Sequence, residues 1–154
     1  MTGPASISFF VPGIPVSQGS KRAFVIRDKS GRHRPVLTES AKGLPQWRAT
    51  VALAGRQALM KGNEGATVGW WAKKALLVRL AFSLPRPASL PKKVQDAVKR
   101  PDVDKLTRAV LDALTGILWA DDAQITRLEA AKVYAHEGQA GVSVVVTPVT
   151  GERG

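Results

Sequence analysis

The sequence predicts an α+β fold: a single domain over residues 1–154, in which a mixed β-sheet packs against two main helices. Residues 76–83 carry a large apolar side chain at every second position, which predicts a strand with one buried face. Residues 45–60 and 103–115 instead repeat apolar side chains at helical spacing. No internal repeat or linker divides the chain, and a length of 154 residues fits one domain.

The N-terminal part is predicted to consist of strands. Ser6–Val11 is an apolar strand that Pro12 ends. Residues 23–27 and 35–38 form a predicted hairpin with a polar tip at residues 28–34. The hairpin is basic, and a DNA-gripping arm and an ordinary solvated hairpin are equally favoured readings of it. Its cations are Lys21, Arg22, Arg27, Lys29, Arg32 and Arg34.

The first predicted helix begins at Pro45, a residue that suits a first helical turn, and ends near Met60. Trp47 lies on the apolar face of this helix, so we expect it in the core and not in a base-stacking platform. Trp70 and Trp71 stand in a Gly-rich loop. For both, a position at the start of the next strand is favoured over stacking on DNA.

The second predicted helix, Val103–Thr115, has Asp102 or Asp104 as a candidate N-cap. Two strands follow it, at residues 125–134 and 142–147. Because a Gly-rich turn joins them, we expect these strands to pair antiparallel. The buried face of the helix is predicted to consist of Leu106, Val110, Ala113 and Leu114.

The charge balance favours a polyanionic partner. With 23 Lys and Arg against 12 Asp and Glu, the net charge is +11, and neutralising phosphates drives the binding of nucleic acid. A basic protein without such a partner is the weaker alternative, because the cations are clustered. A membrane surface is weaker still, since no long basic amphipathic helix is predicted. The Pro-interrupted loop Leu84–Arg100 is basic and long, which is typical of a functional or disordered segment.

Several classes of protein are excluded by composition. The chain has no cysteine, so disulfides, thiolate metal sites and a cysteine nucleophile are absent. His33 and His136 lie too far apart in sequence to indicate a zinc site. No apolar run approaches the roughly 20 residues that span a bilayer, and no signal-peptide pattern is present. We therefore expect a cytoplasmic protein without a membrane partner.

Acidic residues concentrate where the chain is otherwise basic. Five of the 12 acids fall between Asp102 and Asp122, and they are Asp102, Asp104, Asp112, Asp121 and Asp122. Carboxylates this close repel one another unless a cation lies among them. Hard divalent cations such as Mg²⁺ take oxygen ligands of this kind. The pattern predicts a metal-dependent enzyme that acts on nucleic acid.

Three of these carboxylates can approach one point in space. Asp102 and Asp104 stand where the chain enters the helix, and Asp122 returns after the helix and a turn. Arg108 lies four residues after Asp104, on the same helical face, and can pair with Asp104 or reach a phosphate. Lys132, on the following strand, is another candidate phosphate contact. Taken singly, the residues have structural alternatives: helix capping for Asp102 and Asp104, a polar turn for Asp121 and Asp122, and an exposed salt bridge for Arg108 and Asp112.

Two motifs carry a resemblance to a known family. They are P-D-V-D-K-L-T-R-A-V-L-D-A-L at residues 101–114 and W-A-D-D-A-Q-I at residues 119–125, followed by Lys132. They resemble the RusA family of Holliday junction resolvases, whose pattern runs roughly D-x-D-N-L-x-K-x-x-x-D-A-L, then W-x-D-D-x-Q-[IV], then a lysine on the next strand. The resemblance is specific over Arg100–Lys132. It is looser at F-F-V-P-G-I-P-V (residues 9–16) and S-L-P-R-P (residues 83–87).

The resemblance implies a small homodimeric endonuclease that uses Mg²⁺, with Mn²⁺ as an alternative ion, and places paired nicks in four-way DNA junctions. It implies that Asp102, Asp104 and Asp122 are the catalytic metal ligands, with Asp112 and Asp121 in support. Members of the family are often carried by phages and prophages, so a bacterial or phage-infected cell is the expected setting.

The chain departs from the family pattern at two positions. Lys105 stands where Asn is usual, and Arg108 stands where a functionally important Lys is usual. Arginine keeps the charge but changes the geometry and hydration of the group. We expect Arg108 to belong to the catalytic set.

We therefore expect a metal-dependent endodeoxyribonuclease that resolves Holliday junctions. The alternative is a branched-DNA-binding protein of the same fold without catalysis, and nucleases that prefer RNA or plain duplex are a further possibility. The residues expected to bind DNA are Lys92, Lys93, Lys99, Arg100, Lys105 and Lys132.

Overall fold

A computed structural model describes residues 5–19, 21–27, 29–39, 42–61, 71–136 and 138–149. These residues form six strands, two α-helices and one short 3₁₀ turn. In chain order the elements are β1 (Ile7–Pro12), β2 (Lys21–Arg27), β3 (His33–Glu39), α1 (Leu44–Met60), β4 (Leu76–Leu84), α2 (Val103–Leu114), the 3₁₀ turn Asp122–Gln124, β5 (Ile125–Tyr134) and β6 (Gly141–Pro148).

Four of the strands form a mixed sheet in the order β1-β6-β4-β5. Strand β6 runs antiparallel to β1 and to β4, whereas β5 runs parallel to β4. In register, Leu80 of β4 lies between Val144 of β6 and Ala130 of β5. Strands β2 and β3 form a separate antiparallel hairpin. The predicted α+β class, with a mixed sheet and two helices, is confirmed.

The predicted antiparallel pairing of the last two strands is wrong, because β4 lies between β5 and β6. Parallel neighbours cannot be joined by a tight turn and need a long crossover connection. Helix α2 and its flanking segments supply that crossover between β4 and β5. The Gly-rich turn after β5 therefore carries the chain past β4, and β6 enters the sheet on the far side.

The core lies between the helices and one face of the sheet. Alternate residues of β4 are buried, as the period-two pattern predicts. Trp47 is only 4% exposed and Trp71 only 2% exposed, so both are core residues and neither can stack on DNA. Trp70 lies outside the described residues. The largest fully buried side chains also include Trp119, Phe82, Leu44, Leu76, Leu106 and Leu114.

The two helices contact each other closely at Gly55 of α1. A Cβ atom built on Gly55 would lie 2.6 Å from Cδ2 of Leu114 in α2. Gly55 is buried, so the missing side chain allows α2 to approach α1. Helix α2 therefore packs closely against α1 at this point. Among the described residues, no helix is long and apolar enough to cross a membrane.

The other predicted elements of the chain agree with the structure. The basic hairpin forms with the predicted strands, although its side chains at residues 21–27 and 33–39 lie outside the description. Residues 85–100 contain neither helix nor strand, as the prolines predict. Helix α2 ends at Leu114, and Gly116 then takes a positive φ of 87°, a conformation that glycine favours.

Candidate active site

A cavity of about 450 Å³ opens beside α2, the turn that follows it and β5. It brings together four charged residues that are separate in sequence: Asp104, Arg108 and Asp112 from α2, and Asp122 from the turn. The remaining lining residues are Val103, Thr107, Leu111, Leu128 and Ala130. Asp122 thus lines the same cavity as Asp104, while its approach to the start of the helix stays a prediction.

The helical period explains why three charges of α2 face the cavity together. Asp104, Arg108 and Asp112 succeed one another at intervals of four residues, which places them in a row on one face. The opposite face carries Leu106 and Val110, both fully buried. Burial of the apolar face therefore turns the charged row outward.

Among the described residues Arg108 has no ionic partner, whereas Asp112 has one. The Asp112 carboxylate pairs with the guanidinium of Arg48 in α1, with Oδ2 and Nη2 3.5 Å apart. No ion pair between Arg108 and Asp104 forms in the part of the chain that the structure describes. The Arg108 guanidinium is exposed and shares the cavity with Asp104, so it is free to bind an anion there.

Asp122 is held in place by two residues that the sequence analysis did not single out. Its Oδ1 accepts a hydrogen bond from the Thr115 hydroxyl and a longer one, of 3.3 Å, from Nε1 of Trp119. Nε1 of Trp119 also donates to the Thr115 hydroxyl at 2.9 Å. Because Trp119 is fully buried, it fixes the carboxylate against the end of α2. An indole three residues before an acid is the sequence signal that could have revealed this.

Asp121 and Gln124 build the turn that carries Asp122. Oδ1 of Asp121 accepts from the backbone N–H of Ala123 at 2.9 Å, while Oε1 of Gln124 accepts from the N–H groups of Ala120 and Asp121. This reciprocal arrangement is a capping box. The amide of Gln124 also donates to the carbonyls of Trp71, at 2.7 Å, and Lys74, at 3.1 Å. The spacing D-x-x-Q is the sequence signal for this capping box.

Asp102 lies outside the lining of the cavity. It is the N-cap residue of α2 by backbone conformation, but its side chain makes no capping hydrogen bond. Its Oδ2 lies 3.8 Å from Nζ of Lys105, and both side chains are well exposed. Residues two apart at a helix start do not face the same way. This explains why Asp102 and Asp104 diverge here.

Four of the predicted DNA-binding cations are exposed in the loop that precedes α2: Lys92, Lys93, Lys99 and Arg100. Arg86, in the same loop, instead makes hydrogen bonds within the protein. Its guanidinium donates to the carbonyl of Val94 at 2.7 Å and to that of Pro91. These two hydrogen bonds stabilise the conformation of the loop in which Lys92 and Lys93 are exposed.

The oxygen donors of the cavity suit Mg²⁺. This ion is commonly bound by one or two carboxylates, with substrate phosphate and water completing its shell, and Asp104 and Asp122 both line the cavity. Asp104 lies in the first turn of α2, whereas Asp122 is held beside the end of that helix. Among the described residues, no three His, Cys, Asp or Glu side chains lie close enough to hold one ion. Asp102, Asp104 and Asp122 as ligands of one ion therefore stay a prediction.

A cavity lined by three aspartates and an arginine, in a basic protein with a mixed sheet and two helices, defines a candidate enzyme of nucleic-acid hydrolysis. The chain belongs to the RusA family, since the family described as endodeoxyribonuclease RusA matches residues 12–147. It is also similar to the uncharacterized protein YqaN of Bacillus subtilis (strain 168), with 26% identity over 147 residues that cover 90% of this chain and 94% of that protein. The resemblance seen in the motifs is thus confirmed, and it supports Holliday junction resolvase activity on branched DNA.

Proposed function

We propose that this protein is a Mg²⁺-dependent endodeoxyribonuclease that resolves four-way junctions by paired phosphodiester hydrolysis. The observation that carries the proposal is the cavity that Asp104, Arg108 and Asp122 all line. Carboxylates can hold a divalent ion that activates phosphodiester hydrolysis, and a guanidinium can bind the phosphate. The exposed cations of the preceding loop supply a surface for the DNA backbone.

The proposed roles follow from the positions of the side chains. When bound, the ion would supply a Lewis acid that offsets charge at the scissile phosphate. Asp104 and Asp122 would hold it from the cavity wall, and Asp102 would join them by leaving its long, exposed contact with Lys105. Arg108 would hold the phosphate, because a guanidinium can donate two hydrogen bonds to it.

The test is nicking of a labelled four-way junction by the pure protein with Mg²⁺, with Mn²⁺ or with EDTA. We expect symmetric nicks on two opposing strands with either cation and none with EDTA. A linear duplex and an RNA duplex of the same sequence are the control substrates. Binding of the junction without any nicking would favour the non-catalytic binder, and equal cleavage of the linear duplex would contradict the preference for junctions.

We also propose that the active form is a homodimer, because paired nicks in a two-fold symmetric junction call for a two-fold symmetric enzyme. The outer edge of β5 is the surface that best fits a second copy. Strand β5 is at the edge of the sheet, and residues 126–131 are all exposed. Antiparallel pairing centred on Leu128 would put Arg127 opposite the partner's Glu129, twice over, which is a complementary arrangement.

Charge reversal tests this edge. Arg127→Glu places like charges at both pair positions and should shift the protein from dimer towards monomer in sedimentation velocity. Adding Glu129→Arg restores opposite charges and should restore the dimer. A single variant that stays as dimeric as the wild type, or a monomeric wild type, would remove β5 as the interface.

A further inference from the structure

The side-chain ammonium of Lys132 is hydrogen-bonded to the main chain of the loop before α2. Its Nζ donates to the backbone carbonyl of Lys99 at 2.7 Å and to that of Pro101 at 2.8 Å. The residue lies on β5, opposite Phe82 of β4, and is partly buried. Among the described residues it forms no ion pair with a carboxylate.

The two carbonyls belong to the segment that enters α2. Pro101 directly precedes Asp102, the N-cap residue, and Asp104 follows within the first helical turn. The same loop is fastened to β5 at one further place, where the N–H of Tyr134 donates to the carbonyl of Gln95 at 3.3 Å and Asp96 bridges to Val133. Lys132 is thus the last attachment of the loop before the acidic residues begin.

A positively charged side chain at this position raises the electrostatic energy unless favourable interactions of its ammonium offset the repulsion. Lys99 and Arg100 bring two more positive charges to the same segment, and like charges repel. An ammonium has three donors and no acceptor, so it can bridge two carbonyls at once, which an uncharged aliphatic side chain cannot do. Hydrogen bonds from a charged donor are also stronger than neutral ones.

We propose that Lys132 is a positioning residue, which fixes the chain at Lys99–Pro101 and thereby sets where Asp102 and the first turn of α2 stand relative to β5. This differs from the role of phosphate contact that the sequence indicates for Lys132. The proposal deepens the proposed nuclease function and rests on it for its effect on cleavage. Its effect on the Lys99–Pro101 segment is independent of any activity.

The experiment compares Lys132→Met, Lys132→Arg and the matched control Lys61→Met, which removes an exposed lysine at the end of α1. The first readout is trypsin cleavage after Lys99 in the free protein, without DNA or metal. We expect Lys132→Met to be cut there several-fold faster than the wild type, Lys132→Arg to be cut at an intermediate rate, and Lys61→Met to match the wild type.

The second readout separates positioning from DNA binding. At saturating junction, Lys132→Met should nick roughly tenfold more slowly or worse, because small misplacements of catalytic groups are costly. It should also need more Mg²⁺ for half-maximal rate. Junction affinity and its salt dependence should stay at the wild-type values, and Lys132→Arg should recover part of the rate.

Some results would overturn the proposal. Wild-type protection of Lys99 in Lys132→Met, together with weaker junction binding and a shallower salt dependence, would make Lys132 a phosphate contact instead. If Lys132→Met does not fold, Lys132→Gln keeps an amide donor and carries the same comparison. A wild-type protein that does not nick would refute the proposed function, while the trypsin comparison would still decide the role of Lys132.

Discussion

At the scale of the residue, the loss of any one of three carboxylates near α2 is expected to abolish cleavage while junction binding persists. Changing Asp102, Asp104 or Asp122 singly to Asn keeps the size of the side chain but removes its charge. We expect Mg²⁺-dependent nicking to collapse in each variant, because the ion loses a ligand. Junction binding should persist or tighten slightly, since the anionic DNA meets one carboxylate fewer. The measurement is parallel nicking and gel-shift titration of each variant.

Asp96→Asn is the matched control for these three variants. Asp96 is exposed and outside the lining of the cavity, so its variant should cut and bind as the wild type does. Wild-type cutting by all three site variants would refute the metal-ligand assignment and favour the non-catalytic binder. Joint loss of binding and cutting in a folded variant would instead assign the carboxylates to the architecture of the DNA surface.

Arg108 gives a second test at this scale. Because it has no ionic partner among the described residues, Arg108→Ala breaks no salt bridge and should leave the fold intact. If the guanidinium holds the scissile phosphate, the nicking rate at saturating junction should fall much more than the affinity does. Arg108→Lys should keep part of the rate, since the charge remains while the forked geometry is lost. Near-wild-type turnover of Arg108→Ala would remove it from the catalytic set.

The sequence predicted the acidic cluster but could not rank its members. Five aspartates within 21 positions indicate a cation site, yet their local environments depend on the fold. Asp122 is fixed by Trp119 and Thr115 through the return of the chain after α2. Asp121, its neighbour, instead uses its carboxylate to cap a turn. Adjacent residues of the same type thus differ only because the turn points them in different directions.

At the scale of the element, helices and strands were predictable and strand partners were not. The alternation in β4 and the helical spacing in α2 are local, so they are visible along the chain. Pairing depends on the path between strands. The segment between β4 and β5 holds a whole helix that must cross over the sheet, and this crossover makes β4 and β5 parallel neighbours. The short turn before β6 was a misleading local signal.

The contact of α1 with α2 gives a stability prediction. In Gly55→Val, the new side chain would overlap Leu114, because even a Cβ atom at Gly55 lies 2.6 Å from Leu114 Cδ2. Overpacking of this kind costs about 1–3 kcal/mol of unfolding free energy. Chemical denaturation of the variant checks it, with Ala49→Val as the control for a valine at an exposed position of α1. Equal stability of the two variants would mean that α2 can shift away from α1 without cost.

At the scale of the whole molecule, the positive and the negative charges are concentrated in different places. The chain carries +11 overall, while the cavity holds three carboxylates and one guanidinium. The cations of the loop before α2 are exposed, and Arg86 holds the loop in shape from inside. This arrangement supports the proposal that the basic surface binds the DNA backbone while the carboxylates of the cavity hold a cation.

This separation predicts how binding responds to salt. If the loop contacts phosphates, the logarithm of the junction affinity should fall linearly with the logarithm of the salt concentration, with a slope of about −0.9 for each phosphate neutralised. Changing Lys92 and Lys93 together to Ala should weaken binding and make the slope shallower by up to about 2.

Arg56 and Lys61, both exposed on or beside α1, are the control pair, because their change to Ala removes the same net charge elsewhere. Fluorescence anisotropy from low to moderate salt, in Ca²⁺ or EDTA to prevent cutting, measures all three proteins. A flat salt response of the wild type, or equal slopes for the loop variant and the wild type, would contradict the assignment of the loop to the DNA backbone.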